Sequence, residues 1–91
     1  MGKKRVHAII HGRVQGVFFR DYTSRKAREL GVAGWVRNMP QGTVETVVEG
    51  EPEKVSAMVE WLHEGSPHSS VRSVDVTEED PSGEEGFSVR Y

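Results

Sequence analysis

The sequence predicts an α+β fold in which two helices cover one face of an antiparallel sheet. Several segments show the two-residue alternation of half-buried strands, and two others show the spacing of amphipathic helices. Turns that contain glycine or proline separate these segments. The predicted order is β-α-β-β-α-β, followed by an additional C-terminal strand. A chain of 91 residues has room for one core, so residues 1–91 are expected to form a single domain.

The first two elements are predicted from their apolar spacing. A strand is expected over residues 4–11, because every second residue from Val6 to Ile10 is apolar. A helix is expected over residues 20–30, and Gly31 stands where a C-terminal cap would end it. The stripe expected to face the core is formed by Phe19, Thr23, Ala27 and Leu30.

The middle of the chain predicts a hairpin and a second helix. Strands over residues 33–38 and 43–49 are joined by the short turn 39–42, which favours antiparallel pairing. Pro52 suits the first turn of a helix, and the segment 65–67 (Gly-Ser-Pro) ends it. The apolar stripe of this helix is formed by Val55, Met58, Val59 and Leu62.

The final third of the chain predicts two more strands. Residues 71–77 alternate, and residues 87–91 form a last strand. Residues 78–86 between them are acidic and contain glycine, so a solvated turn is expected there. The complete order is that of a ferredoxin-like sandwich. The pattern leaves open whether the last strand pairs at the edge of the sheet or inside it.

The composition excludes several classes of function. The net charge is −2, so no overall basic field attracts nucleic acid or a membrane surface. No apolar run approaches the roughly 20 residues that span a bilayer. The chain has no cysteine, which excludes disulfides, a thiolate nucleophile and a cysteine zinc site and is compatible with the cytoplasm, where we expect the protein. Its small size and mild charge favour a monomer.

The segment GRVQGVFFR, residues 12–20, lies between the first predicted strand and the first predicted helix. A glycine-bearing loop at a helix N-terminus is a place where backbone N–H groups converge on an anion. Gly12 and Gly16 permit the backbone conformations that such a loop needs. Arg20 adds a planar cation that can bind two phosphate oxygens at once. The segment therefore predicts an anion site.

Two other interpretations of this segment were weighed. A P-loop is excluded, because its second glycine is followed by lysine, whereas Gly16 is followed by Val17. The remaining alternative is a tight strand-to-helix turn in which Arg20 is a surface residue that pairs with Asp21 or Glu29.

A second segment, Gly34-Trp35-Val36-Arg37-Asn38, decides between these interpretations. Together the two segments resemble the paired signatures of acylphosphatase, a small enzyme family that hydrolyses acyl phosphates. Residues 12–20 match the first signature throughout, and residues 34–38 match the second. The resemblance continues through Gly50 and residues 87–91, so it spans nearly the whole chain. Phe18 occupies the variable position of the first signature, where many members carry a smaller residue.

The resemblance implies a reaction and a set of site residues. The reaction is hydrolysis of the carboxyl-phosphate bond, which gives a carboxylate and inorganic phosphate and uses no cofactor. The resemblance assigns catalysis to Arg20, which grips the phosphate, and to Asn38, which orients the attacking water. It implies a small-molecule acyl phosphate as substrate and inorganic phosphate as product and competitive ligand. The substrate-binding residues are then Val14, Gln15, Gly16, Val17, Phe18 and Phe19, mainly through their backbone amides.

The histidines and carboxylates predict neither a metal site nor an acid–base pair. His7 and His11 share a strand face, but four residues of strand separate them by about 13 Å. His63 and His68 flank a helix-breaking segment and lack partners at ligand spacing. The carboxylates are predicted at scattered, solvent-facing positions, so none is expected to act in general acid–base catalysis.

Four further residues near the motifs receive structural roles. Trp35 is predicted to lie in the core or in a wall of the site, and Trp61 to pack on the second helix. Arg37 is expected to point to the other face of its strand, with a solvated or ion-pair role as the first expectation and substrate steering as the second. Arg13 is expected to support the loop or its electrostatic field.

Three alternatives to a free-standing enzyme were considered. An RNA-recognition sheet shares the element order, but neither central strand carries its aromatic and basic signature. A phosphate or acyl-phosphate sensor would use the same loop without turnover. The third alternative is the acylphosphatase-like domain at the start of larger carbamoyl-handling proteins. The end of the sequence at Tyr91 is taken to favour a free-standing enzyme.

Overall fold

A computed structural model describes residues 2–91 of the chain. The predicted β-α-β-β-α-β order and the additional C-terminal strand are confirmed. The first and fourth strands are longer than the predicted ranges 4–11 and 71–77. In chain order the elements are β1 (Lys4–Arg13), α1 (Phe19–Leu30), β2 (Ala33–Asn38), β3 (Val44–Gly50), α2 (Pro52–Glu64), β4 (Ser70–Glu79) and β5 (Phe87–Arg90).

The strands form one sheet in the order β4-β1-β3-β2-β5. The pairs β4–β1, β1–β3 and β3–β2 are antiparallel, as predicted. The fifth strand, whose pairing the pattern left open, lies at the edge and runs parallel to β2, with Val36 opposite Val89. The sheet is therefore mixed. Because β4 and β5 occupy opposite edges, residues 80–86 must cross one end of the sheet.

The core lies between the two helices and one face of the sheet. Both helices contribute the stripes that their spacing predicts, and Leu30 and Val59 at the margins are only partly buried. From β1 the core receives every second side chain between Val6 and Ile10, as the alternation predicts. The largest of the fully buried side chains are Phe19, Ile10, Met58 and Leu62. Their burial fixes both helices against the sheet, and with them the start of α1.

The predicted end of the first helix is confirmed in detail. The amide of Gly31 donates to the carbonyl oxygens of Ala27 and Arg28, and the amide of Val32 also donates to that of Ala27. Val32 is buried in the core. This is the arrangement in which an apolar residue after the cap folds back on the last helical turn.

The solvated turn predicted over residues 78–86 differs from the structure in two ways. Its first two residues are strand, since β4 continues to Glu79. Further along, three successive backbone amides donate to the carboxylate of Glu49, whose side chain is 2% exposed. The prediction that the carboxylates face solvent is therefore wrong at Glu49, because the crossing segment covers it. The donors are Ser82, Gly83 and Glu84, at 3.1, 2.8 and 3.3 Å.

Arg5 completes the environment of Glu49. Its Nη1 lies 3.0 Å from Oε1 of Glu49 and 3.0 Å from Oε2 of Glu84, and its Nε lies 2.9 Å from Oε1 of Glu79. Burial by itself would raise the pKa of Glu49. Hydrogen bonds from the Ser82 amide and the Arg5 guanidinium outweigh that effect and hold the pKa below its usual value.

We expect Glu49→Gln to lower the free energy of unfolding at pH 7 by about 1–3 kcal/mol, because a charged acceptor for several donors is lost. The pKa of Glu49 is lower in the folded chain than in the unfolded chain. Its contribution is therefore complete above the unfolded-state pKa and is lost as the pH falls through the folded-state pKa. The free energy of unfolding should be measured with urea at pH 7 and at several values below about pH 4. It should fall less steeply with decreasing pH in the variant than in the wild type.

Glu79→Gln is the matched control, because Glu79 pairs with the same arginine but is 41% exposed. Its loss should cost less than about 1 kcal/mol. The assignment of Glu49 as the anchor of the crossing segment would be contradicted if both variants lost the same free energy of unfolding. It would also be contradicted if the free energy of unfolding of Glu49→Gln kept the wild-type dependence on pH.

Candidate active site

The chain turns from β1 into α1 through residues 14–18, here called the β1–α1 loop. Both glycines of the first motif are required by the backbone, as predicted. Gly12 has φ 128°, and a Cβ there would lie 2.2 Å from the carbonyl oxygen of Ser70 on the neighbouring strand. Gly16 has φ 75°, in the left-handed region. The pairing of β1 with β4 shifts register between His11 and Gly12, which redirects the chain into the loop.

The loop leaves a run of backbone N–H groups without backbone partners. Within residues 2–91, the amides from Gln15 to Asp21 donate to no carbonyl oxygen, and the first hydrogen bond of α1 runs from the Tyr22 amide to the Phe18 carbonyl at 3.1 Å. The first amides of a helix are always unpaired within the helix and carry the positive end of its dipole. Here the preceding loop adds further unpaired amides to them.

Three hydrogen bonds and the burial of one side chain hold the loop in this open form. Val17 is buried in the core, and its carbonyl oxygen accepts a hydrogen bond of 2.9 Å from the Ser66 hydroxyl, just after α2. The side-chain amide of Gln15 donates to the carbonyl oxygens of Met39 and Thr43, each at 2.8 Å. The loop is thus tied to α2 and to the turn between β2 and β3. Sequence reasoning assigned Gln15 only a backbone role, because nothing local in the sequence reveals this distant side-chain contact.

Arg20 lies in the first turn of α1 and is held by the end of the chain. Its Nη1 donates to the carbonyl oxygen of Arg90 at 3.2 Å, and its guanidinium carbon lies 4.7 Å from the centre of the Tyr91 ring. Among the described residues no carboxylate pairs with it, and Glu29 pairs with Lys26 instead. The surface ion pair considered as an alternative is therefore not formed. The last residue of β5, Arg90, supplies the first contact, and the residue after the strand, Tyr91, supplies the second.

Arg20 and Asn38 open onto one cleft of about 400 Å³. Asn38 is the last residue of β2 and is partly buried. Of the predicted substrate-binding residues, the structure brings four to this cleft, whereas the side chains of Gln15 and Val17 point to the β2–β3 turn and the core. The lining consists of Val14, Gly16, Phe18, Phe19, Arg20, Asp21, Asn38, Val89 and Tyr91.

Two tryptophans and a neighbouring arginine lie outside the cleft. Arg37 forms an ion pair with Glu45 on the sheet face without helices, as predicted. Trp35 is only partly buried and lies on that same face, with the Arg90 guanidinium 4.3 Å from its ring centre, so its predicted place in the core or a site wall is wrong. The reason is alternation, since its neighbour Val36 points into the core. Trp61 packs beside Phe19, with ring centres 5.8 Å apart, as predicted.

The histidines on β1 make pairwise contacts with carboxylates on the face without helices. His7 Nε2 lies 2.6 Å from Glu45, and His11 Nε2 lies 2.9 Å from Asp75. Within residues 2–91, no three side chains of histidine, aspartate or glutamate are grouped closely enough to hold a metal ion. Neither histidine lines the cleft.

The fold and the cleft define a ferredoxin-like domain in which a loop with unpaired backbone amides precedes the first helix. A sequence model of the acylphosphatase family matches residues 6–89. The chain belongs to the acylphosphatase family. It is a hydrolase that acts on acyl phosphates and releases a carboxylate and inorganic phosphate.

Relatives and solved structures match this chain over nearly its full length. An acylphosphatase from Thermococcus kodakarensis is 56% identical over 89 residues, which cover 98% of each chain. The crystal structure of acylphosphatase from Bacillus subtilis superposes with a TM-score of 0.94 and 38% identity, over 97% of this chain and 99% of that one. T. kodakarensis HypF contains the same fold in 12% of its chain, at 31% identity and a TM-score of 0.84. No helix in residues 2–91 is long and apolar enough to cross a membrane.

We expect inorganic phosphate to bind where the unpaired amides lie, and sulfate to do the same, because both are tetrahedral anions that helix N-termini favour. Titration followed by amide resonances should shift the signals of residues 15–21 most strongly. Shifts centred on the acidic segment near Glu84 would contradict the assignment of the cleft as the anion site.

Proposed function

We propose that the acyl phosphate is hydrolysed by one water molecule, which Asn38 orients toward a phosphoryl group held by Arg20 and the β1–α1 loop. The observation that supports this assignment is the meeting of three different groups at one cleft: unpaired backbone amides, one guanidinium and one side-chain amide. They match the groups that phosphoryl transfer needs, namely donors for the phosphoryl oxygens and a polar group for the nucleophile.

The phosphoryl oxygens are bound by the loop amides and by Arg20. A cation in the first turn of a helix opposes the helix dipole, which costs a few tenths of a kcal/mol to about 1 kcal/mol. A bound phosphoryl group reverses that penalty, because its negative charge interacts favourably with both the dipole and the guanidinium. The contacts of Arg20 with the Arg90 carbonyl and the Tyr91 ring restrict the guanidinium before substrate arrives. Preorganised donors of this kind stabilise charge that develops in the transition state.

Asn38 positions the water without taking its proton. A neutral side-chain amide accepts a hydrogen bond from water and donates one to a phosphoryl oxygen, but it cannot act as a base. The new bond joins the water oxygen to phosphorus, and the bond from phosphorus to the acyl oxygen breaks with its electron pair leaving on the carboxylate. A carboxylate is a weak base, so it leaves without a general acid. The proton of the water passes to a phosphoryl oxygen of the substrate.

We further propose that the chain acts as a cytoplasmic monomer and does not bind nucleic acid. Residues 1–91 form a single domain in this proposal, supported by one core between both helices and the sheet in the described residues. A net charge of −2 gives nucleic acid no overall attraction. The lack of cysteine is compatible with the reducing conditions of the cytoplasm.

Arg20→Lys should reduce turnover nearly as much as Arg20→Ala, because lysine keeps the charge but loses the planar fork that binds two oxygens. The measurements are kcat and KM with acetyl phosphate and the inhibition constant for inorganic phosphate. Arg25→Lys is the matched control, since Arg25 is an exposed arginine of the same helix that lies over the Tyr22 ring and does not line the cleft. Retention of most activity and phosphate affinity by Arg20→Lys would show that Arg20 does not grip the phosphoryl group in this way.

Asn38→Ala should leave the affinity for inorganic phosphate close to normal while kcat falls on the order of 10²–10³, as for loss of one positioned polar group. Asn38→Asp is a useful second variant of the same shape. Its negative charge should weaken phosphate binding as well as turnover. A parallel fall of phosphate affinity and kcat in Asn38→Ala would mean that Asn38 contacts the bound phosphate or supports the fold and does not orient the water.

A further inference from the structure

Phe18 is a large apolar residue in an unusual backbone conformation and an unusual environment. Its φ is 59°, and within residues 2–91 it is the one residue other than glycine with positive φ. Its side chain is 71% exposed, whereas the flanking Val17 and Phe19 are 6% and 1% exposed. A bulky residue is disfavoured in the left-handed region, and strain of this kind concentrates at functional sites. Core packing does not explain this ring.

The position of Phe18 relates it to the cleft. It forms the N-cap of α1 without a capping side-chain hydrogen bond, and it lines the cleft together with Val89 and Tyr91. Tyr91 is also exposed, and Val89 is partly buried. Apolar side chains therefore line the same cleft as Arg20 and the unpaired amides. A phosphoryl group bound by those polar groups leaves its acyl group among the apolar ones.

We propose that Phe18 determines specificity for the acyl group, and that its ring contacts the carbon chain of the leaving carboxylate. The class of substrate favoured by this contact is an acyl phosphate with an aromatic or extended apolar acyl group. A short acyl group such as acetyl does not cover the ring. This inference rests on the proposed function, because it takes the phosphoryl group to be held by Arg20 and the β1–α1 loop.

The chemistry of the leaving group explains why such a contact is separate from the phosphoryl site. The acyl carbon chain undergoes no bond change in the step, so a contact with it is made equally in the ground state and in the transition state. Uniform binding of that kind lowers KM and raises kcat/KM but leaves kcat unchanged. The contact is therefore expected to distinguish substrates through KM.

The experiment compares benzoyl phosphate with acetyl phosphate and follows the ratio of their kcat/KM values within each variant. The key variant is Phe18→Asn, because asparagine tolerates the left-handed conformation and removes the ring. We expect the ratio to fall about 5- to 10-fold, near the lower end of the discrimination that one apolar contact provides. The fall should come from a higher KM for benzoyl phosphate. Phe18→Tyr keeps a ring and should hold the ratio within about twofold.

Val76→Asn is the matched control, since Val76 is an exposed apolar residue (42%) on β4, outside the cleft lining. It should leave the ratio unchanged. The proposal is overturned if Phe18→Asn keeps the wild-type ratio, including the case in which both substrates lose activity by the same factor through a change in the loop. Failure of the proposed function is recognised separately, because inorganic phosphate would then not compete with either substrate.

Discussion

The site depends on one constraint, which is that the β1–α1 loop must keep a run of backbone N–H groups free of backbone acceptors. A flexible loop is free to pair such donors with its own carbonyl oxygens, and the amides would then no longer be available to a ligand. Here the surrounding fold prevents that pairing. Val17 is buried in the core and held by Ser66, and Gln15 is bonded to the turn between β2 and β3. Packing and hydrogen bonds to residues distant in the sequence therefore keep these amides free.

The topology of the sheet connects this constraint to the two proposed catalytic side chains. Asn38 ends β2, and β5 lies beside β2, so Arg90 at the end of β5 and Tyr91 after it reach Arg20. For β5 to lie there, the chain must cross from one edge of the sheet to the other, and Glu49 anchors that crossing through three backbone amides. A buried carboxylate at one end of the sheet thus supports the position of an arginine at the other.

Sequence reasoning succeeded where the signal is local and failed where distant residues meet. The strands, the helices and the stripes that face the core follow from periodicity, and the two residues that the motifs single out, Arg20 and Asn38, line one cleft. The burial of Glu49 depends on a segment more than thirty residues away, and the contacts of Gln15 depend on the hairpin turn, so neither shows a local pattern. Trp35 lies on the face without helices because alternation along β2 turns its neighbour Val36 into the core.

The cleft is lined by two types of group. It contains free backbone amides and one arginine, and it also contains exposed aromatic side chains that have no role in the core. The path of the loop requires a left-handed conformation at Phe18 whatever side chain stands there, and glycine would adopt it with the least strain. A phenylalanine at this position adds strain and gains little burial in the free protein, since its side chain is 71% exposed. Under the proposed specificity for the acyl group, a contact made when the cleft is filled compensates for that strain, because the ring then packs on the carbon chain of the substrate.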